Sequence, residues 1–184
     1  MVPVIVVLVV VALLVLWTIA SYNGLIRSRN QVDNAWSQID VQLKRRIDLI
    51  PNLVETVKGY AAHEQNTLQA VIAARNSAIA APATPAGQAA ADNQLTGALR
   101  QLFALSESYP DLKANQNFLA LQEELTATEG RVAYARQFYN DSVLGYNNRI
   151  QSFPAVVLAN MLKFTRRDHF ETDAASRDVP KVQF

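Results

Sequence analysis

The chain has 184 residues, and its 17 Lys plus Arg against 16 Asp plus Glu leave a formal net charge of +1. It therefore lacks the overall basic field that drives nucleic-acid binding. It has no cysteine and two histidines, which removes disulfides, thiolate metal sites and thiol nucleophiles and leaves little for acid–base chemistry.

The chain opens on a membrane-length apolar run. Pro3 to Ala20 reads PVIVVLVVVALLVLWTIA, and the first charge is Arg27. A bilayer core of about 30 Å needs about 20 apolar residues as a helix. Trp17 and Tyr22 stand at its C-terminal border, where amphipathic rings suit the headgroup region. A cleaved signal peptide would begin with basic residues and carry a shorter apolar run, and a buried core helix would rarely start at residue 3. The run is expected to be a permanent transmembrane anchor over 1–21 that contacts membrane lipid through 3–20. Arg27 and Arg29, then Lys44, Arg45 and Arg46, all follow it. The positive-inside rule then puts the N-terminus outside and the domain in the cytoplasm.

Beyond the anchor, apolar residues recur at Val32, Trp36, Ile39, Leu43, Ile47 and Ile50, one face of a helix. Nothing interrupts the helix between Tyr22 and Asp48, so the anchor is expected to run straight into the domain. A helix-interior proline loses a hydrogen bond and clashes with the preceding turn, at about 3 kcal/mol. Asp48-Leu49-Ile50 is therefore read as a tight corner with Pro51 opening a second helix. A kinked continuous helix competes, because the apolar phase nearly carries through. The second helix, with Leu53, Val57, Tyr60, Leu68 and Val71 inward, is expected to end near Ala80.

Ala81 to Gly87 is the clearest linker. Thr84-Pro85 predicts a cap and first residue for a third helix bearing Leu95, Leu99, Leu102 and Phe103. Tyr109-Pro110-Asp111 breaks it, and Asn115 or Asn117 is placed to cap a fourth. That last helix repeats at three and four residues through Phe118, Leu121, Leu125, Thr128, Val132, Ala135, Tyr139, Ser142, Tyr146 and Ile150 to Phe153. Such spacing favours near-parallel packing. Gly130 inside it either admits a close helix or is merely tolerated. The expected fold is all-α: a transmembrane helix, then an antiparallel up-and-down four-helix bundle over 22–153. In that topology the Pro82 linker and the Phe153 end both face the membrane.

Residues 154–184 form a short amphipathic segment and a tail. Val157, Leu158, Met161, Leu162 and Phe164 make one apolar side, with Lys163, Arg166 and Arg167 following. Basic residues beside such a segment suit a membrane surface; the alternative is a cap on the open end of the bundle. From Asp168 to Phe184 a flexible tail is expected, with Val182 and Phe184 as an apolar end.

No motif carries chemistry. His63-Glu64 begins like a zinc helix, but Thr67 stands where the second histidine is needed. Glu55, Glu64, Glu123, Glu124 and Glu129 lack the histidine three residues on that di-iron bundles use. No phosphate-cradling glycine loop or nucleophile elbow occurs. No enzyme activity, metal site or cofactor is expected. Lys44-Arg45-Arg46 reads either as a contact for an acidic partner or as a solvated face balanced by Asp40 and Asp48. Tyr60, Tyr109, Tyr134, Tyr139 and Tyr146 read as core residues with the hydroxyl at an edge rather than as a ligand cleft.

Three stretches carry a resemblance: AWSQIDVQLKRRIDLIPNLVETVKGYAAHE, YPDLKANQNFLALQEELTATEGRVAYARQFYN and YNNRIQSFP. Together with the anchor they resemble the LemA family of bacterial membrane proteins, from about Tyr22 to Phe153 and more weakly through Phe170. The resemblance implies a single-pass membrane protein with a helical bundle, and it brings no reaction or catalytic residues. Asp40, Arg45, Arg46, Asp48, Pro51, Asn52 and Glu55 match its first motif and form the candidate interaction surface. The expected function is a membrane-anchored scaffold or adaptor acting through protein–protein contact. Its partners are an unidentified membrane or cytoplasmic protein or a second copy of the chain, with no nucleic acid. The alternatives are an accessory factor of membrane proteolysis or envelope-stress quality control, and a ligand-binding bundle or unrecognised enzyme.

Overall fold

Long amphipathic spacing, few glycines and prolines confined to a few positions give a chain that is helix almost throughout. The computed structural model describes residues 1–170. It contains α1 (Val2–Lys58), α2 (Gln65–Ala80), α3 (Pro85–Ser106), α4 (Pro110–Lys113), α5 (Gln116–Gln151) and α6 (Ala155–Met161). Among the described residues there is no strand.

α1 is one helix of 57 residues, and none of its apolar window is buried by the rest of the chain. At about 1.5 Å per residue it extends for about 85 Å. The corner expected at Asp48-Leu49-Ile50 does not form, and Pro51 lies inside the helix. Its missing N–H leaves the Ile47 carbonyl, four residues back, without its helical donor. Arg75 Nε from α2 donates to that carbonyl at 3.4 Å instead. The Pro51 ring is exposed, so it meets solvent rather than the core. The turn comes later, at Gly59–Glu64, between α1 and α2. Two side-chain bonds hold it: Tyr109 Oη donates to Glu64 Oε1 at 2.8 Å, and Asn115 Nδ2 to Tyr60 Oη at 2.9 Å.

The chain divides into two compact units, and α1 and α5 each contribute to both. The first unit comprises residues 1–38 and 137–169. Leu25, Val32 and Ala35 of α1 and Tyr139, Val143, Tyr146 and Ile150 of α5 are buried there. Trp36 meets Tyr139 with ring centroids 5.5 Å apart. The second unit comprises residues 39–136 and, among those described, Phe170. Its apolar core draws Ile50, Leu53 and Val57 from α1, Leu68 and Val71 from α2, Leu95, Leu99 and Leu102 from α3, and Phe118 and Leu125 from α5. Burying each of these large aliphatic or aromatic side chains contributes roughly 2 kcal/mol.

The expected caps are present. The Thr84 hydroxyl accepts from the Gly87 N–H at 3.2 Å with Pro85 in the first turn of α3, and Asn115 Oδ1 accepts from the Phe118 N–H at 3.0 Å. A Cβ on Gly130 would meet nothing within 4 Å, so no close helix requires this glycine. Leu43 and Ile47 of α1 line a small cavity with Ala78 of α2 and Gln88 and Leu95 of α3, the helices on either side of the Pro82 linker. Beyond α6 the chain is not loose at Asp168. The Thr165, Arg167 and Asp168 carbonyls accept from Tyr146 Oη, Asn147 Nδ2 and Tyr139 Oη, each at 2.9 Å. Phe170 is buried with the Arg136 guanidinium 4.6 Å over its ring. Val182 and Phe184 lie outside the described residues.

Candidate functional site

The seven residues of the expected interaction surface separate into two groups, because a helix turns 100° per residue and they span four turns. Asp48, Pro51, Asn52 and Glu55 are exposed and share one outward stripe of α1 with Val41, Lys44 and Lys58. Asp40 and Arg45 sit at its edge in ion pairs, Asp40 with Lys44 one turn on at 2.8 Å and Arg45 with Glu124 of α5 at 2.6 Å. The Lys44 ammonium is held above its ordinary pKa by its hydrogen bond to Asp40.

Arg46 is not on the surface. It is 2% exposed and faces α3, donating to Asp92 Oδ1 at 2.7 Å and to Thr96 Oγ1 at 3.0 Å. Asp92 also pairs with Arg136 of α5, and Glu129 stands 3.7 Å from Arg46. Burial pushes the Arg136 guanidinium below its usual pKa, and the Asp92 carboxylate opposes that shift. Two guanidinium groups thus share one buried carboxylate, with the half-exposed Glu129 as the second negative charge. The buried Nε atoms of Arg46 and Arg136 make no hydrogen bond among the described residues, nor does Gln42 Oε1. The cluster ties α1, α3 and α5 of the second unit together. The helical phase carries a signal for it. Arg46 follows Leu43 by three and precedes Ile50 by four, so it falls on the apolar stripe; Asp92 stands three before Leu95, and Arg136 three before Tyr139.

Of the expected membrane-surface residues, Val157, Met161 and Leu162 face outward. Leu158 is buried, and Phe164 lies under Arg29, whose guanidinium is 5.5 Å from the ring centroid. The apolar side is therefore two sides, one against the unit and one against its surroundings. Tyr139 and Tyr146 are core residues whose hydroxyls reach backbone carbonyls, and burial raises both phenols above their ordinary pKa. Tyr134 is 71% exposed. Among the described residues no three His, Asp or Glu side chains are grouped to hold a metal ion.

An all-helical chain whose apolar N-terminal helix fits a membrane anchor, followed by an ion-locked helical unit, defines a class of membrane-associated helical protein. The LemA family model matches residues 35–184, and the chain belongs to that family. Protein LemA of Metamycoplasma hominis is 30% identical over 134 residues, covering 71% of this chain and 60% of that protein. Magnetosome protein MamQ 2 of Paramagnetospirillum magneticum is 26% identical over 186 residues, covering 88% of this chain and 68% of that protein. MamQ of Magnetospirillum gryphiswaldense is 25% identical over the same length and shares. The chain spans about three fifths of the length of the LemA protein it matches.

Proposed function

We propose that this protein is a membrane-anchored helical scaffold or adaptor that works through protein–protein contact and not through catalysis. The continuity of α1 carries this reading: the apolar run and the helix that lines the domain core are one 57-residue element. The stripe of Asp48, Pro51, Asn52 and Glu55 is the surface we assign to the partner, a membrane or cytoplasmic protein or a second copy. The domain is read as an up-and-down bundle over 22–153 on the cytoplasmic side of the bacterial inner membrane. The basic residues that follow the apolar run support that side.

Photocrosslinkers placed at Asn52 and Glu55 in cells test the reading. Capture of the same protein from both positions, and not from Tyr134 on α5, is the expected result. Capture at all three positions alike, or at none, sinks it.

A further inference from the structure

An exposed apolar patch on a protein needs a cover. In the first unit Phe153 is 83% exposed, Met161 69%, Val157 62% and Leu162 43%. These residues belong to α6, to its C-cap at Leu162 and to the turn that leads into it. Their place along α1 says what covers them. Trp36 packs on Tyr139, while Arg149 Nη1 donates to the Gly24 carbonyl at 3.0 Å and to Ser28 Oγ at 2.7 Å. α5 therefore runs antiparallel to α1, and its last turn stands at Gly24, one helical turn beyond Ala20. After α6 the chain retreats, meeting Tyr146 at Thr165, Asn147 at Arg167 and Tyr139 at Asp168. α6 is thus the turning point between α5 and the returning segment, at the level where the apolar run of α1 ends.

We propose that α6 and Phe153 form a second membrane contact, lying in the lipid headgroup region beside the emerging anchor. This rests on the anchoring of α1 and not on the partner surface. Charge agrees: residues 21–33 and 149–167 carry six basic residues (Arg27, Arg29, Arg149, Lys163, Arg166 and Arg167) and one acidic residue, Asp33. Arg27, Lys163 and Arg166 are exposed and suit anionic headgroups. The backbone agrees as well. α6 closes with the Phe164 N–H on the Ala159 carbonyl at 2.9 Å and the Lys163 N–H on that of Asn160 at 3.2 Å. This arrangement usually takes glycine at the position Lys163 holds, where φ is +57°. A lysine kept in that left-handed conformation points to a use for its side chain. Leu158 and Ala159 pack inward, so one short helix both closes the unit and faces lipid.

The chain has no cysteine, so single labels are clean. The full chain is reconstituted in phosphatidylcholine vesicles with and without phosphatidylglycerol. A nitroxide is placed in turn at Val157→Cys, Met161→Cys, Leu144→Cys and Leu14→Cys. Labels at 157 and 161 are expected to be shielded from an aqueous relaxation agent and accessible to oxygen dissolved in lipid, with the label at 144 open to water. In anionic vesicles, Lys163→Gly is expected to keep the helical signal and to keep or raise the thermal midpoint while reducing the docked-to-undocked ratio about fivefold, the worth of one basic residue near such a surface. A label at 161 as water-exposed as the one at 144, with the label at 14 in lipid, overturns the proposal and leaves the anchor standing. Shielding at 161 from both agents means that protein covers α6, which also overturns it. A water-exposed label at 14 removes the anchor itself. Unchanged docking of Lys163→Gly in anionic vesicles overturns the role given to that charge.

Discussion

The two units solve the same problem, holding distant stretches of chain in register, with different chemistry. The second unit buries charge: Arg46, Asp92 and Arg136 meet among apolar side chains and fasten three helices. The first unit buries neutral donors: Tyr139, Tyr146 and Asn147 reach backbone atoms of the segment that returns from α6. Helices satisfy their own backbones, so what remains between them is a matter of side chains, and a buried guanidinium there needs a carboxylate. A returning segment without helix has orphaned N–H and C=O groups, and phenol and amide groups satisfy these without a charge to desolvate. The ionic lock is brittle toward loss of one partner; the neutral stitches fail singly and mildly.

The largest expected effect follows from Asp92→Ala. It leaves two buried guanidinium groups facing each other, and loss of one partner of a buried ion pair costs about 3–5 kcal/mol. Urea unfolding followed by circular dichroism, with hydrogen exchange to locate the loss, should show amides of α3 and of residues 39–58 losing protection. Replacing all three residues by apolar ones of similar size, Arg46→Met, Asp92→Leu and Arg136→Met, should recover most of the loss, because the desolvation cost leaves with the charges. A loss in Asp92→Ala below about 1 kcal/mol, the worth of an exposed pair, would remove the contrast between the units.

The stitches of the first unit predict a smaller, pH-dependent effect. Burial raises the Tyr139 and Tyr146 phenols above their ordinary value of 10.0, so the folded state favours the neutral form. A raised folded pKa gives stability that is full below about pH 10 and is lost as pH climbs through the higher folded values. Near-ultraviolet titration should show these two phenols ionising above the ordinary phenol value of 10.0, with residues 165–168 loosening as they do. Tyr146→Phe should cost about 1 kcal/mol at neutral pH, one neutral hydrogen bond, and should flatten the alkaline transition. Titration of Tyr146 at or below the ordinary phenol value of 10.0 would show that its hydroxyl is not held as described.

The sequence disclosed what depends on local spacing and hid what depends on a distant partner. The apolar run, the inward faces of α3 and α5, and the caps at Thr84 and Asn115 each follow from residues within a few positions of one another. Pro51 misleads because its remedy, the Arg75 donor to Ile47, stands on another helix. Arg46 looks like part of a surface basic run until Asp92 and Arg136 are brought to it, although its place on the apolar stripe was a signal. Phe153 was read as the last core position of α5 and is exposed at the turn before α6. The exposed stripe at Asp48, Pro51, Asn52 and Glu55 becomes legible only once α1 is known to run on through Pro51, since phase sets an outward face only along one continuous helix.

Two glycines, one in each unit, give the smallest and sharpest test. Glycine in a helix interior is worse than alanine by up to about 1 kcal/mol when nothing else changes. At Gly130 of α5 a Cβ would enter open space, so Gly130→Ala should raise stability by most of that amount. At Gly24 of α1 a Cβ would lie 3.3 Å from Cζ and Nη2 of Arg149. The guanidinium must shift by a few tenths of an ångström and strain its bonds to the Gly24 carbonyl and Ser28 Oγ, which offsets the gain. Gly24→Ala should therefore raise the thermal midpoint less than Gly130→Ala, or lower it. Combining it with Arg149→Lys, whose slimmer head does not crowd the site, should return part of the missing increment. Equal gains from the two alanines would mean that Arg149 does not rest on Gly24. The level assigned to the end of α5, and with it the placement of α6 at the membrane, would then lose its main support.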